Sequence, residues 1–307
     1  MAMMRISTAW RYHRLATQMA RLERDMYHLQ VQISTGKRVN RPSDDAVATG
    51  QILGARCAKK EVEARQKVIV QGRMLTRYED QVLGEIATAL RRTRDLVVRA
   101  LNDSLTPAAR EGIAYEVGDI MRRIVDLGNS QLQGRYLFAG NLDRTQPLRY
   151  TGDPDHPVEY LGSSEVETFR VGKDATVQVT LAGDWLFNFE DQSGNRSVAG
   201  VDDDLFSCLA SLQAAIRAGD KDAIEERLEQ LDAFIEHIVL ARAQVGVNDK
   251  RFDTLEKLAQ DEELRTSEAL STLEDCDMAA TITKLRLMQV MYEAILGAAA
   301  KAAALPS

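Results

Sequence analysis

From the first heptads of the chain the apolar positions fall at Leu15, Met19, Leu22, Met26, Leu29 and Ile33, a strict alternation of four-residue and three-residue steps. This spacing predicts a helix with the narrow seam of a coiled coil, not the wider stripe of a helix lying on a globular core. Gly36 can take the left-handed conformation that stops a helix, and Lys37 and Arg38 suit the negative end of its dipole. Val39 to Pro42 reads as a short link. Ser43, Asp44 and Asp45 then introduce a second helix, as caps and as acidic groups at its positive end. Within it Ile86, Leu90, Thr93, Val97 and Ala100 keep a helical repeat that lapses at Asn102 to Thr106. Thr106 caps a third helix with Pro107 in its first position, and Ile113, Val117, Ile120, Ile124 and Leu127 give that helix another seam.

At Gly134 the grammar changes. Pro147, Pro154 and Pro157 lie among Gly152, Asp153, Gly162, Gly172 and Gly183, and the short runs Val158 to Leu161, Thr168 to Val171 and Thr176 to Leu181 read as strands. Asp202, Asp203 and Asp204 are read as a cap and first-turn acids, not as a metal site. Helices resume there, with Ile224, Leu228, Leu231, Ile235 and Ile238 in register, and helical character continues almost to the end. Ile282, Leu285, Gln289, Tyr292 and Leu296 share one face of the last segment. The expected fold class is therefore mainly α: a long antiparallel helical bundle or coiled coil formed by N- and C-terminal arms, with a small β-rich inserted domain. Residues 1–40 and 265–307 are expected to be terminal coiled-coil segments, 41–140 and 201–264 a helical bundle, and 141–200 the β-rich insertion.

Composition agrees with an ordered, helix-rich chain, at 45% hydrophobic and 28% charged with six prolines. Charge is unevenly placed. Residues 1–110 carry 20 Lys and Arg against 11 Asp and Glu, whereas the remainder carries 19 against 35. A basic arm can bind nucleic acid, but these cations form no dense tract, and packing of the basic part against an acidic part is the simpler reading. Cys57, Cys208 and Cys276 match no zinc or redox spacing and read as free thiols acting as small hydrophobes. The first ten residues have no apolar core of a secretory signal, and no stretch is apolar enough to span a bilayer.

Catalytic chemistry has no visible carrier. His13, His28, His156 and His237 are dispersed, and there is no phosphate-binding loop, dinucleotide fingerprint or nucleophile elbow. The adjacent pairs Asp44-Asp45 and Glu262-Glu263 would point about 100° apart on a helix, which does not suit acid and base groups converging on one substrate. No enzyme activity, cofactor or metal is expected.

Specific segments carry a resemblance. Ser34-Thr35-Gly36-Lys37-Arg38-Val39-Asn40-Arg41-Pro42-Ser43-Asp44-Asp45 resembles the signature that follows the first terminal helix in the flagellin superfamily, and Met4 to Thr8 is similar to that family's opening. Arg242-Ala243-Gln244-Val245-Gly246 and Glu274-Asp275-Cys276-Asp277-Met278-Ala279 resemble its C-terminal elements. Gly134 to Gly140, Tyr150 to Asp153 and Gly183 to Phe187 resemble the exit segment and small β-domain of the superfamily's junction proteins more than filament flagellin. The alanine-rich tail, Ala298 to Ser307, departs from the glutamine-rich ending of flagellins.

The resemblance implies a structural protein that polymerises between flagellar hook and filament, located in the extracellular flagellum after type III export without a cleaved signal peptide. It implies as partners other copies of the chain, the other hook-filament junction protein, flagellin, and an export chaperone at the C-terminal helix, with no nucleic acid and no membrane insertion. The seam residues Leu15 to Ile33, with Ile282, Leu285, Tyr292 and Leu296, would form the assembly interface. Ser34, Gly36, Arg38, Val39, Asn40, Pro42, Asp44 and Asp45 would form the family link. Filament flagellin and a coiled-coil signalling scaffold are the competing readings. The scaffold leaves the β-rich insertion and the Gly36 to Pro42 link without a role.

Overall fold

A computed structural model of the chain describes residues 8–102, 105–172, 175–191 and 193–304. Met4 to Ser7 and Leu305 to Ser307, on which two of the sequence readings fell, lie outside the described residues. Three long helices open the chain: α1 (Thr8–Thr35), α2 (Ala46–Ala100) and α3 (Pro107–Gly128). Six short strands follow: β1 (Gln131–Leu132), β2 (Arg135–Tyr136), β3 (Leu148–Tyr150), β4 (Val158–Tyr160), β5 (Thr168–Arg170) and β6 (Thr176–Gln178). The chain then returns to helix as α4 (Gly183–Phe187), α5 (Leu205–Ala218), α6 (Lys221–Glu274) and α7 (Met278–Ala304). The mainly helical class with a small β-rich region is as the sequence predicts.

Local chemistry sets most boundaries. Gly36 ends α1 at φ +71°. Asp45 accepts the Ala48 N–H at 2.9 Å, and Thr106 accepts the Ala109 N–H at 3.3 Å, each capping the helix that follows. Asp204 does the same for α5 through the N–H groups of Phe206 and Ser207. Asp203 beside it pairs with Arg227 at 2.5 Å, so two of the three aspartates have structural partners.

The strands pair only as antiparallel hairpins, β1 with β2, β3 with β4 and β5 with β6. The first hairpin turns through Gln133 (φ 55°) and Gly134 (φ +79°), two consecutive positive-φ residues as a tight primed turn requires. The run expected as one strand over Thr176 to Leu181 stops at Gln178. Beyond it Val179 N–H bonds to the Glu167 carbonyl and Leu181 N–H reaches a helix side chain, Glu79 Oε1, at 2.7 Å. Helical character continues to Ala304, as expected, with one break at Asp275 to Asp277, where the Cys276 N–H bonds to the Gly36 carbonyl at 2.9 Å and Asp277 caps α7 through the Ala280 N–H at 3.0 Å.

The chain forms two compact units, residues 1–63 with 261–307 and residues 64–260. In the larger unit the long seams of α2, α3, α5 and α6 meet around Leu83, Ile86, Leu90, Val97, Val117, Ile124, Phe206, Leu209, Phe234 and Phe252, with Leu148, Val177 and Phe187 from the β-rich region joining the same core. Gly72 admits this packing, since a Cβ there would lie 2.6 Å from the Phe252 ring. The smaller unit has a modest core of Val39, Ala48 and Ile52 under Leu270 and Leu273. Cys208 is buried in the larger core, but Cys57 is exposed on α2, so the sequence reading of all three thiols as packed hydrophobes fails at that position.

Candidate assembly site

In the smaller unit α1 and α7 lie side by side and antiparallel. Lys37 bridges to Asp275 at one end, and Tyr292 Oη donates to Glu23 Oε1 at 2.7 Å further along. Leu15, Met19, Leu22, Met26, Leu29 and Ile33 are all half-buried, while the positions between them are mostly exposed. Each seam residue therefore has a neighbour but keeps part of its surface in water.

On α7 the expected single face divides in two. Thr281, Leu285, Met288, Tyr292 and Ile295 are the covered positions, again in steps of four and three. Ile282, Gln289 and Leu296 are exposed, one residue away from that seam. With Leu287, Val290 and Met291, which are 61%, 62% and 47% exposed, they make the outside of α7 apolar as well. The sequence reading merged the two faces because apolar side chains surround this helix. Its flank of four- and three-residue steps through Met288 and Ile295 was the available signal.

The family-like link lies at the base of this pair and is held to the α6–α7 break by a hydrogen-bonded clasp. Arg38 N–H bonds to the Glu274 carbonyl at 2.7 Å, and the Arg38 guanidinium reaches the Leu273 carbonyl at 3.0 Å. The Glu274 carboxylate, 4% exposed, is paired with Arg56 at 2.6 Å and with Lys37. Hydrogen bonds from Arg56 and Lys37 hold that carboxyl below the usual glutamate range.

Within the link, Asp44 accepts the N–H groups of Arg41 at 2.8 Å and Asn40 at 3.0 Å, and these backbone bonds lower its pKa. Asn40 Nδ2 donates to the Lys37 carbonyl at 2.9 Å, and Gln32 Nε2 donates to the Arg38 carbonyl at 2.8 Å. The Ala48 N–H, with Arg38 as a second partner, likewise lowers Asp45. Val39 is buried, whereas Ser34 and Pro42 are exposed. Two segments about 235 positions apart in sequence, Ser34 to Asp45 and Glu274 to Asp277, thus make one structure. Sequence reading found both but did not bring them together, and it missed Arg56 and Gln32, whose roles depend on the far segment.

Among the described residues no group of His, Cys, Asp and Glu is arranged to hold a metal. The clasp consists of satisfied pairs that join the link between α1 and α2 to the break between α6 and α7.

Residues 6–143 match the family model for the bacterial flagellin N-terminal helical region, the segment that contains the Ser34 to Asp45 link. Over that region the chain is similar to the flagellin superfamily. It is 24% identical over 304 residues to flagellar hook-associated protein 3 of Escherichia coli, covering 95% of this chain and 94% of the relative. It has the fold of flagellar hook-associated protein 3 from Legionella pneumophila, at 16% identity and TM-score 0.62 over 72% of this chain and 98% of that one. A flagellar junction protein from the same organism gives TM-score 0.59 at 16% identity, over 73% of this chain and all of the other. The sequence similarity to the hook-associated relative runs along nearly the whole chain, and the two solved structures share its fold over 72% and 73% of it.

Proposed function

We propose that this chain is a structural protein of the flagellum that polymerises at the junction of hook and filament and adapts one to the other. The observation that carries the reading is the apolar outer face of α7 combined with the incompletely covered seam of α1. An isolated pair of helices gains little stability from propensity alone, and most of it must come from burying an apolar face. Leu287 and Val290 could each contribute about 1.5–3 kcal/mol once covered. A wall of neighbouring subunits would supply that cover.

Leu15, Met19, Leu22, Met26, Leu29 and Ile33, with Leu285 and Tyr292, would form the seam within each arm pair, and Ile282 and Leu296 would face the next subunit. Ser34, Gly36, Arg38, Val39, Asn40, Pro42, Asp44 and Asp45 would hold the arms at a fixed exit. The partners on this reading are further copies of the chain, the second junction protein on the hook side and flagellin on the filament side. Export through the flagellar type III apparatus, with a chaperone covering the C-terminal helix on the way, follows from the same reading. Three free thiols and the lack of any dependence on disulfides suit a chain threaded unfolded.

The test is complementation of a strain that lacks this protein. The full chain should restore filaments, and chains lacking residues 1–33 or 275–307 should be exported or retained but leave bare hooks. Normal filaments from either truncation would reject the proposal.

A further inference from the structure

The larger unit holds a cleft of about 380 Å³ where α4, β6 and α6 come together, and the assembly reading makes no use of it. Its size falls in the range of small-molecule sites, roughly 300–1,000 Å³. Trp185 and Phe189 supply its aromatic lining, with the polar groups of Gln178 and Gln244 beside them. Trp185 is 36% exposed, and its neighbour His237 stands with ring centres 4.4 Å apart and donates from Nε2 to the Trp185 carbonyl at 2.9 Å. Phe189 stacks with Tyr160 and with Phe206. The rim is tied down by the buried Asn188, whose Nδ2 donates to the Val201 and Asp203 carbonyls while its Oδ1 accepts the Val198 N–H at 2.7 Å. The walls are therefore formed in advance of any ligand.

The charged residues that line the cleft are Asp184, Asp191 and Arg196. Arg196 is already engaged, since its guanidinium donates to the Asn188 carbonyl at 2.7 Å and pairs with Glu190 at 3.1 Å. Asp191 accepts the N–H groups of Ser193 and Asn195, both at 2.8 Å. Asp184 is different. It is 3% exposed, and among the described residues no Lys, Arg or His pairs with it. Its Oδ1 accepts the N–H of the adjacent Trp185 at 2.8 Å, and its Oδ2 has no protein partner among the described residues and is not one of the fully enclosed orphan atoms. The nearby Tyr160 hydroxyl offers no proton, because it donates to the Phe138 and Ser163 carbonyls. Buried carboxylates are normally matched by a cation or by a full set of donors. This one has a single donor, from its own neighbour in the chain.

We propose that the cleft binds a small organic cation of the guanidinium class, paired with the Asp184 carboxylate and laid against the Trp185 indole. A guanidinium is flat, weakly hydrated and able both to bond a carboxylate and to stack on an aromatic face, so it satisfies both features at once. Gln178 donates its Nε2 to the Thr180 carbonyl at 3.0 Å, which leaves its side-chain oxygen as a further acceptor for the ligand. A neutral ligand would leave the charge of Asp184 unmatched, and an anion would meet two carboxylates beside an arginine already in use. The site lies within the larger unit and does not depend on the arms or on assembly.

The experiment uses the full-length chain carrying Trp10→Phe, which leaves Trp185 as its only indole. Butylguanidinium chloride is titrated against a sodium chloride reference while the indole N–H resonance of Trp185 is followed by NMR, with butylammonium and the neutral butylurea as comparators. The expected result is a saturable shift with butylguanidinium, weaker binding of butylammonium and no saturable shift with butylurea. Asp184→Asn keeps an acceptor for the Trp185 N–H and should weaken butylguanidinium binding by about tenfold or more. No saturable shift with butylguanidinium, equal binding of butylurea, or undiminished binding by a folded Asp184→Asn chain overturns the site. The butylurea comparison decides the question in the parent chain even if that variant does not fold. Each outcome is read on dilute protein and leaves the assembly reading standing or falling by its own test.

Discussion

Glu79 shows how a single residue can work against the stability of the helix that carries it. Its carboxyl is buried where α2 meets the end of the β-rich region, with the Leu181 N–H as a hydrogen-bond donor, and burial pushes its pKa up to about 8. A raised carboxyl pKa means the folded chain holds a proton that the unfolded chain releases above its ordinary value of 4.5. Stability therefore declines as pH rises from about 4.5 towards 8 and is flat above that. Glu79→Gln keeps an acceptor for Leu181 and removes the titration. It should raise Tm at pH 8 by about 2–6 °C and by much less at pH 5, as thermal unfolding would read. Gly140 is a position of opposite sense. It sits at φ +61° with the Ser163 carbonyl oxygen only 2.2 Å from where a Cβ would be. Gly140→Ala combines backbone strain with a clash against main chain, and denaturant unfolding should show a loss of about 2–4 kcal/mol.

At the scale of elements, the clasp lies where α1 and α6 end and where α2 and α7 begin. Asp44, Asp45 and Glu274 all titrate below their ordinary values in the folded chain. Depressed carboxyls contribute fully above about pH 4.5, and that contribution is lost as pH falls through the lowered values. Hydrogen exchange at the Arg38 and Cys276 amides should accordingly accelerate in acid before the larger unit opens. Glu274→Gln, which leaves Arg56 and Lys37 facing a neutral group, should speed exchange at those two amides about tenfold at neutral pH, equivalent to roughly 1.4 kcal/mol. Unchanged exchange would mean that the backbone bonds hold the clasp by themselves.

The helices and their starts were legible because periodicity and caps are local: Asp45, Thr106 and Asp204 each act within three residues of themselves. The α6–α7 break was not, since the group that takes the Cys276 N–H is Gly36, far away in sequence. The β3 strand and the β1–β2 hairpin also escaped, because two- and three-residue strands are too short to show alternation. On α7 the covered and exposed faces are both apolar, so hydrophobicity could not say which one meets α1.

At the scale of the whole molecule, function was legible from segments rather than from chemistry, because a self-assembling protein distributes its specificity over long surfaces instead of concentrating it in reactive groups. The larger unit has an extensive core, whereas the arms have a single seam and the few residues around Val39, Ala48 and Ile52. On the proposed assembly reading, an arm pair so organised draws its stability from neighbouring copies. Limited proteolysis of the isolated protein should therefore remove both ends well before it cuts within residues 64–260.

The decisive measurement leaves the chain at full length and changes only the outer face of α7. Leu287→Lys and Val290→Lys together alter two side chains that touch nothing essential within the pair, being 61% and 62% exposed. The double variant should have the circular dichroism and melting curve of the parent chain and yet fail to attach filaments to hooks. Filaments attached as in the parent would contradict assembly through the arms.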